Sequence, residues 1–104
     1  MNIAFVKPWV EVGKFGDNLV KELHRECSID HPLHNKTVRA IAQRTDTDDV
    51  LFTIEGGDPP YAVVHLTWSG NEEIDPSCPD VKPFSSFNHW IRDGMIPDSQ
   101  AFSG

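Results

Sequence analysis

With 104 residues, 38% of them apolar, and a formal net charge of −7, the chain suits one domain built from one sheet and a covering layer of helix. No run approaches the ~20 apolar residues of a membrane span, and the start MNIAFVKPWVEVG lacks the basic segment and long apolar stretch of a signal peptide. Residues 53–104 carry eight acids against only Lys82 and Arg92, which argues against nucleic acid as a direct partner and favours a basic protein. The expectation is a soluble cytoplasmic protein with no membrane contact.

In chain order, Asn2–Val6 (NIAFV) is a short apolar run stopped by Pro8, either an edge strand or an irregular arm. Gly16 and Asp17 open a helix that ends near Ser28, with Asp17 placed to cap the first-turn N–H groups. Leu19, Val20, Leu23 and Cys27 form its apolar stripe, and Lys21, Glu22, Arg25 and Glu26 fall on the wet side. Thr37–Gln43 sets Val38, Ala40 and Ala42 against Arg39 and Gln43, small residues that let a helix approach a sheet closely. Val50–Ile54 and Tyr61–Trp68 flank EGGDPP and read as a β-hairpin. In its second strand Ala62, Val64, Leu66 and Trp68 face the helices, while Tyr61, Val63, His65 and Thr67 make a half-polar face.

Tyr61–Leu66 is apolar on both sides, as a central strand would be, so either NIAFV or another subunit should lie beside it. Ser69–Pro83, rich in proline and acid, reads as an irregular surface excursion. Ser85 or Ser86 then caps a last helix, Phe87–Met95, striped by Phe87, Trp90, Ile91 and Met95 and closed by Pro97. Trp68 and Trp90 are expected as core anchors, Trp9 at the surface. The expected fold is a single α+β domain over residues 1–104, in the order (β)αβββα. Its mainly antiparallel sheet has three or four strands, with two helices packed on one face.

No Gly-rich phosphate loop, GxSxG, HExxH, CxxC or EF-hand pattern occurs, and no cofactor is expected. Cys27 and Cys78, far apart and in unlike surroundings, read as reduced thiols. His31 and His34 in DHPLH are the nearest thing to a metal pair. Zinc would need further ligands from Asp30 or from Asp46, Asp48 and Asp49, and Pro32 makes this an extended or turn segment in which side chains three apart need not converge, so no metal is expected. The three aspartates suit a tight turn. His65, with Tyr61 and Thr67 on its face, is the candidate for acid–base chemistry, or else a hydrogen-bonded structural residue. Glu72, Glu73 and Asp75, in the acidic loop Asn71–Asp80, are candidates for contact with a partner.

The segments HPLxxxxVRAIAxRxDxDDVLF (His31–Phe52), AVVHLTWSG (Ala62–Gly70) and FxxW (Phe87–Trp90) resemble a small bacterial protein family of uncharacterised function. The resemblance implies a bacterial cytosolic protein of about this length and brings no activity, substrate or catalytic residue. Two readings of function follow from the residues. One is a non-enzymatic interaction module, immunity-type or regulatory, that binds a basic protein. The other is a small enzyme or ligand-binding domain centred on His65. A homodimer through an exposed strand edge or sheet face is compatible with both.

Overall fold

A computed structural model describes residues 5–29, 31–68 and 79–103. The chain is an α+β fold whose antiparallel sheet has five strands rather than three or four: β1 (Trp9–Glu11), β2 (Val38–Arg44), β3 (Asp49–Ile54), β4 (Tyr61–His65) and β5 (Asp80–Phe84). They lie in sequence order, β1-β2-β3-β4-β5. The neighbour that β4 requires is neither NIAFV nor a second subunit. It is β5, drawn from a stretch read as irregular because Pro83 breaks a strand pattern. Proline is tolerated there because β5 is an edge, where a missing N–H leaves no interior ladder bond unmade. Pro83 and Lys82 on this edge, and the three-residue length of β1 on the other, both disfavour edge-to-edge pairing. Phe5 and Val6 are not in a strand, and residues 2–4 of the NIAFV run lie outside the described residues. The first strand begins only after Pro8.

The two helical segments cover opposite faces of the sheet, not the same one. Strand alternation makes this possible: Val50, Phe52 and Ile54 point one way and Leu51 the other. Helix α1 (Gly16–Glu26) packs Leu19, Leu23 and the following Cys27 on Val50, Phe52, Ala62, Val64 and Leu66. Ala40 is small enough to lie in this contact. Between Ala40 and Ala42 a bulge at Ile41 shifts the register, so Ala40 serves the α1 face and Ala42 the other. Asp17 sits in the first turn of α1 rather than at its cap, a position held by Phe15 without a side-chain bond.

The second face carries Trp9, Ala42, Leu51, Phe84, Trp90 and Met95. Ser86 caps α2 (Phe87–Trp90), its Oγ accepting from the His89 N–H at 3.0 Å. The helix does not stop at Pro97. A π-turn over Ile91–Met95, in which the Ile96 N–H reaches back to the Ile91 carbonyl, feeds directly into α3 (Ile96–Ser103). The wider turn places Pro97 at the start of a new helical run, where its missing N–H does least harm. The tryptophans exchange expected roles: Trp9 is 1% exposed and stacks edge-on against Trp90, whereas Trp68 is 45% exposed. Among the described residues no helix is long and apolar enough to cross a membrane.

Candidate functional site

The polar chemistry of the molecule gathers at the end of the sheet where β2 turns into β3 and β4 leaves it. Glu22 and Glu26, assigned by periodicity to the wet side of α1, are 1% and 0% exposed. Glu26 reaches the end of β4, where its Oε1 accepts the Thr67 N–H and its Oε2 the Trp68 N–H, both at 2.8 Å. These two bonds terminate the strand and hold Trp68 in the left-handed region, at φ 55°, which a non-glycine residue adopts at an energetic cost. Burial pushes the Glu26 carboxyl up to about 7, and the hydrogen bond to Glu22, which requires a proton, adds to the shift. The Thr67 and Trp68 N–H groups and the Thr67 hydroxyl act against it. Glu22 in turn accepts from Arg25 Nη1 at 2.7 Å.

Trp68 thus stands half out of the surface as one wall of a cleft of about 370 Å³ between α1 and the β2–β3 turn, with Leu19, Arg44, Asp48 and Asp49 also lining it. Arg44, the only base in that lining among the described residues, is already engaged. Its guanidinium forms a forked pair with Asp46 at 2.9 and 2.8 Å and lies 3.8 Å from Asp49 and 3.5 Å from Asp98 of α3. The hydrogen bond to Asp46 first, and the charges of Asp98, Asp46 and Asp49 after it, raise the Arg44 pKa further; the same hydrogen bond, together with the positive charge of Arg44, holds Asp46 below the ordinary carboxylate value. Asp98 also accepts from Trp9 Nε1 at 3.0 Å, fastening α3 to the sheet. Asp46 and Asp49 therefore act as hydrogen-bond and ion-pair partners for the turn and strand ends.

His65 ends β4 rather than lying within it; its side chain is 55% exposed, and its Nδ1 lies 2.9 Å from Asp49 Oδ1. The residues expected around it are not brought together. Tyr61 lies four residues along the same strand, roughly 13 Å away, with its ring packed 5.9 Å from Phe87. Thr67 has left the strand and is bound through its backbone to Glu26 on the α1 side. His65 lines neither the Trp68 cleft nor the cleft at the opposite end of the sheet.

His31 is buried and holds a different knot. The Leu33 N–H donates to its Nδ1 at 3.0 Å, which makes Nδ1 the acceptor and assigns the ring proton to Nε2, 2.8 Å from the Pro79 carbonyl. The Cys27 Sγ lies 3.3 Å from the same Nδ1. This resembles a thiol–imidazole dyad, but burial, with the charge of Glu26 second, pushes the Cys27 thiol up to about 11, and so the thiolate that catalysis requires is disfavoured. The knot ties the end of α1 and the following turn to the start of β5. Both ring nitrogens of His31 are thus engaged, and Asp30 lies outside the described residues. Among the described residues no group of three His, Cys, Asp or Glu side chains is placed to hold an ion. Glu72, Glu73, Asp75 and Cys78 lie outside the described residues.

Sequence reasoning missed Glu22, Glu26 and Trp68. The signal for the glutamates was present: two like charges at i,i+4 destabilise an exposed helix, and both flank the Leu19–Leu23–Cys27 stripe. Compared with known proteins, the chain matches no family model, no curated protein sequence and no solved structure.

Proposed function

We propose that the chain is a non-enzymatic binding module, of immunity or regulatory type, whose partner is a basic protein docking at the Trp68 end of the sheet. The observation that carries this reading is Trp68 itself, a large aromatic held half-exposed by a buried carboxylate instead of being folded into the core. Tryptophan is the residue type most often found to dominate protein interfaces, and its ring face attracts Lys and Arg side chains. Asp48 and Asp49 stand in the same cleft. Glu72, Glu73 and Asp75 follow within seven residues of Trp68, so their charge is tethered within roughly 25 Å of it. Acidic surroundings would steer a basic partner and fix its orientation.

The test is capture from bacterial extract on the immobilised chain, followed by titration with the purified captured protein at low and high salt. Trp68→Ala should weaken binding on the order of 30-fold or more, as for a residue at the centre of an interface. The combined Glu72→Gln, Glu73→Gln and Asp75→Asn variant should bind more weakly and lose much of its salt dependence. Retention of no protein, or a partner whose affinity ignores both variants, would overturn the reading.

A second reading, a small enzyme or ligand-binding domain centred on His65, is favoured by the His65–Asp49 contact on an open surface. A carboxylate on Nδ1 orients an imidazole and leaves Nε2 for chemistry. In a thermal-shift screen of metabolites and metals, this reading requires a compound that stabilises the wild type and not His65→Ala. Equal shifts for both proteins count against it.

A further inference from the structure

At the opposite end of the sheet a second cleft, of about 420 Å³, lies between the loop carrying Leu33 and Lys36, the β3–β4 turn and β5. Its volume is within the range of small-molecule sites, which are mostly apolar with a few placed polar groups. Leu33, Ile54, Ala62 and Val81 form the apolar surface. The walls are pinned by backbone hydrogen bonds: Lys36 N–H to Leu33 at 3.2 Å, Glu55 N–H to Thr37 at 2.9 Å and Gly57 N–H to Ile54 at 3.0 Å. The turn also tolerates no side chain at Gly57, where a Cβ would stand 2.7 Å from Ile54 Cγ2. The cleft is therefore preformed, which lowers the cost of ordering on binding.

Two charged side chains of opposite sign border this apolar surface, Lys36 from the loop and Asp58 from the turn. Both are exposed, and among the described residues neither has an ion-pair partner. A ligand with a single charge would pair with one of them and leave the other facing it. A zwitterion with an apolar body satisfies both and fills the floor. We propose that this cleft binds a free α-amino acid with an apolar side chain, its carboxylate toward Lys36 and its ammonium toward Asp58.

The proposal is tested by titrating the 15N-labelled full chain with L-phenylalanine, its N-acetyl and amide derivatives, and glycine, read by chemical shift. Phenylalanine should bind saturably with a Kd of about 1 mM and move the resonances of Leu33, Ile54, Ala62 and Val81. Each derivative lacks one charge and should bind about fivefold more weakly; glycine lacks the side chain that fills the floor and should bind at least about tenfold more weakly. Lys36→Gln should erase the preference over the amide and keep the preference over the N-acetyl compound, and Asp58→Asn should do the reverse. Both substitutions are at exposed positions, and the same spectra report whether the variants are folded. Absence of saturable binding, shifts confined to another region, equal binding of all four probes, or preferences that survive both substitutions would each overturn it.

Discussion

The stability of the chain should fall as the pH is raised from about 5 through 7, the opposite of the usual behaviour of a carboxylate in an ion pair. The cause is Glu26, whose carboxyl stands at about 7 in the folded protein against an ordinary 4.5. Between those values the native state keeps a proton that the unfolded chain has released, and so each rise in pH favours unfolding. Below 4.5 both states hold the proton and this cost is absent. Above 7 both have lost it, and the accumulated penalty is on the order of 3 kcal/mol. Asp46 and Asp93, held below 3.8 by Arg44 and Arg92, act in the other direction: their contribution is present above that value and fades as the pH drops through their folded values. The optimum should therefore lie on the acid side of neutrality. Urea unfolding at a series of pH values measures it directly. Glu26→Gln, which carries no titrating group, should flatten the profile between pH 5 and 7.5, at some cost in overall stability because an amide NH2 cannot accept the second of the two backbone N–H groups. A wild-type midpoint that rises across this interval would show that Glu26 does not hold its proton.

Trp90→Ala is the substitution expected to cost most. The side chain is fully buried, with its ring 5.1 Å from Trp9, 5.5 Å from Phe87 and 6.0 Å from Phe5, so the cavity opens at the meeting point of all three. A loss of about 3–5 kcal/mol is expected, which takes much of the stability of a domain this size. Trp90→Phe should cost far less. It keeps the stacking, and the Nε1–H it deletes is buried with no acceptor among the described residues. The backbone beside this ring is equally specified. A Cβ at Gly94 would stand 2.8 Å from Trp90 Cδ1 and 3.3 Å from Phe84 Cζ, two rings wedged on both sides, and Gly94→Ala should cost about 1–3 kcal/mol. Because the clash is with the indole, Gly94→Ala in a Trp90→Phe background should cost less than the two changes summed. Denaturant unfolding followed by circular dichroism gives all four values. Additivity within error would mean that Gly94 is constrained by something other than Trp90.

The parts of the fold legible in the sequence are those where hydropathy and backbone period agree. Val50–Ile54 and Tyr61–His65 are apolar runs on either side of a turn that contains paired glycines and paired prolines, and their pairing is the one read from sequence. The Phe87, Trp90, Ile91, Met95 stripe is likewise a buried stripe. Legibility fails where residue type and environment part company. Asp80–Phe84 carries an Asp, a Lys and a Pro, a poor strand by composition that is acceptable only at an edge. Glu22 and Glu26 are acidic residues on the buried margin of a helix; Arg25 donates to Glu22, and Glu26 is held by backbone donors from a segment forty residues away that periodicity does not see. Trp68 continues the apolar alternation of its strand, but the left-handed turn imposed by Glu26 rotates it out of register. The same carboxylate explains both errors, and it also shapes the proposed docking surface. The acidic residues beyond Trp68 were legible as charge alone, and the clefts at the two ends of the sheet depend on loops whose spatial neighbours no local pattern announces.

The covering of the second face has a mechanical consequence. Phe5 and Trp9, from the first described segment, meet Phe87, Trp90 and Asp98, from the last, in a single layer. Tension applied between residues 5 and 103 would therefore load that aromatic clasp before it loads the ladder of the sheet. The clasp would rupture by shear across rings and a single Trp9–Asp98 bond, and β1 and β5 would then be free to peel one at a time from a core of β2, β3, β4 and α1. Pulled from its ends, the chain should give way in steps from the outside inward, with the Glu26 corner among the last contacts to break.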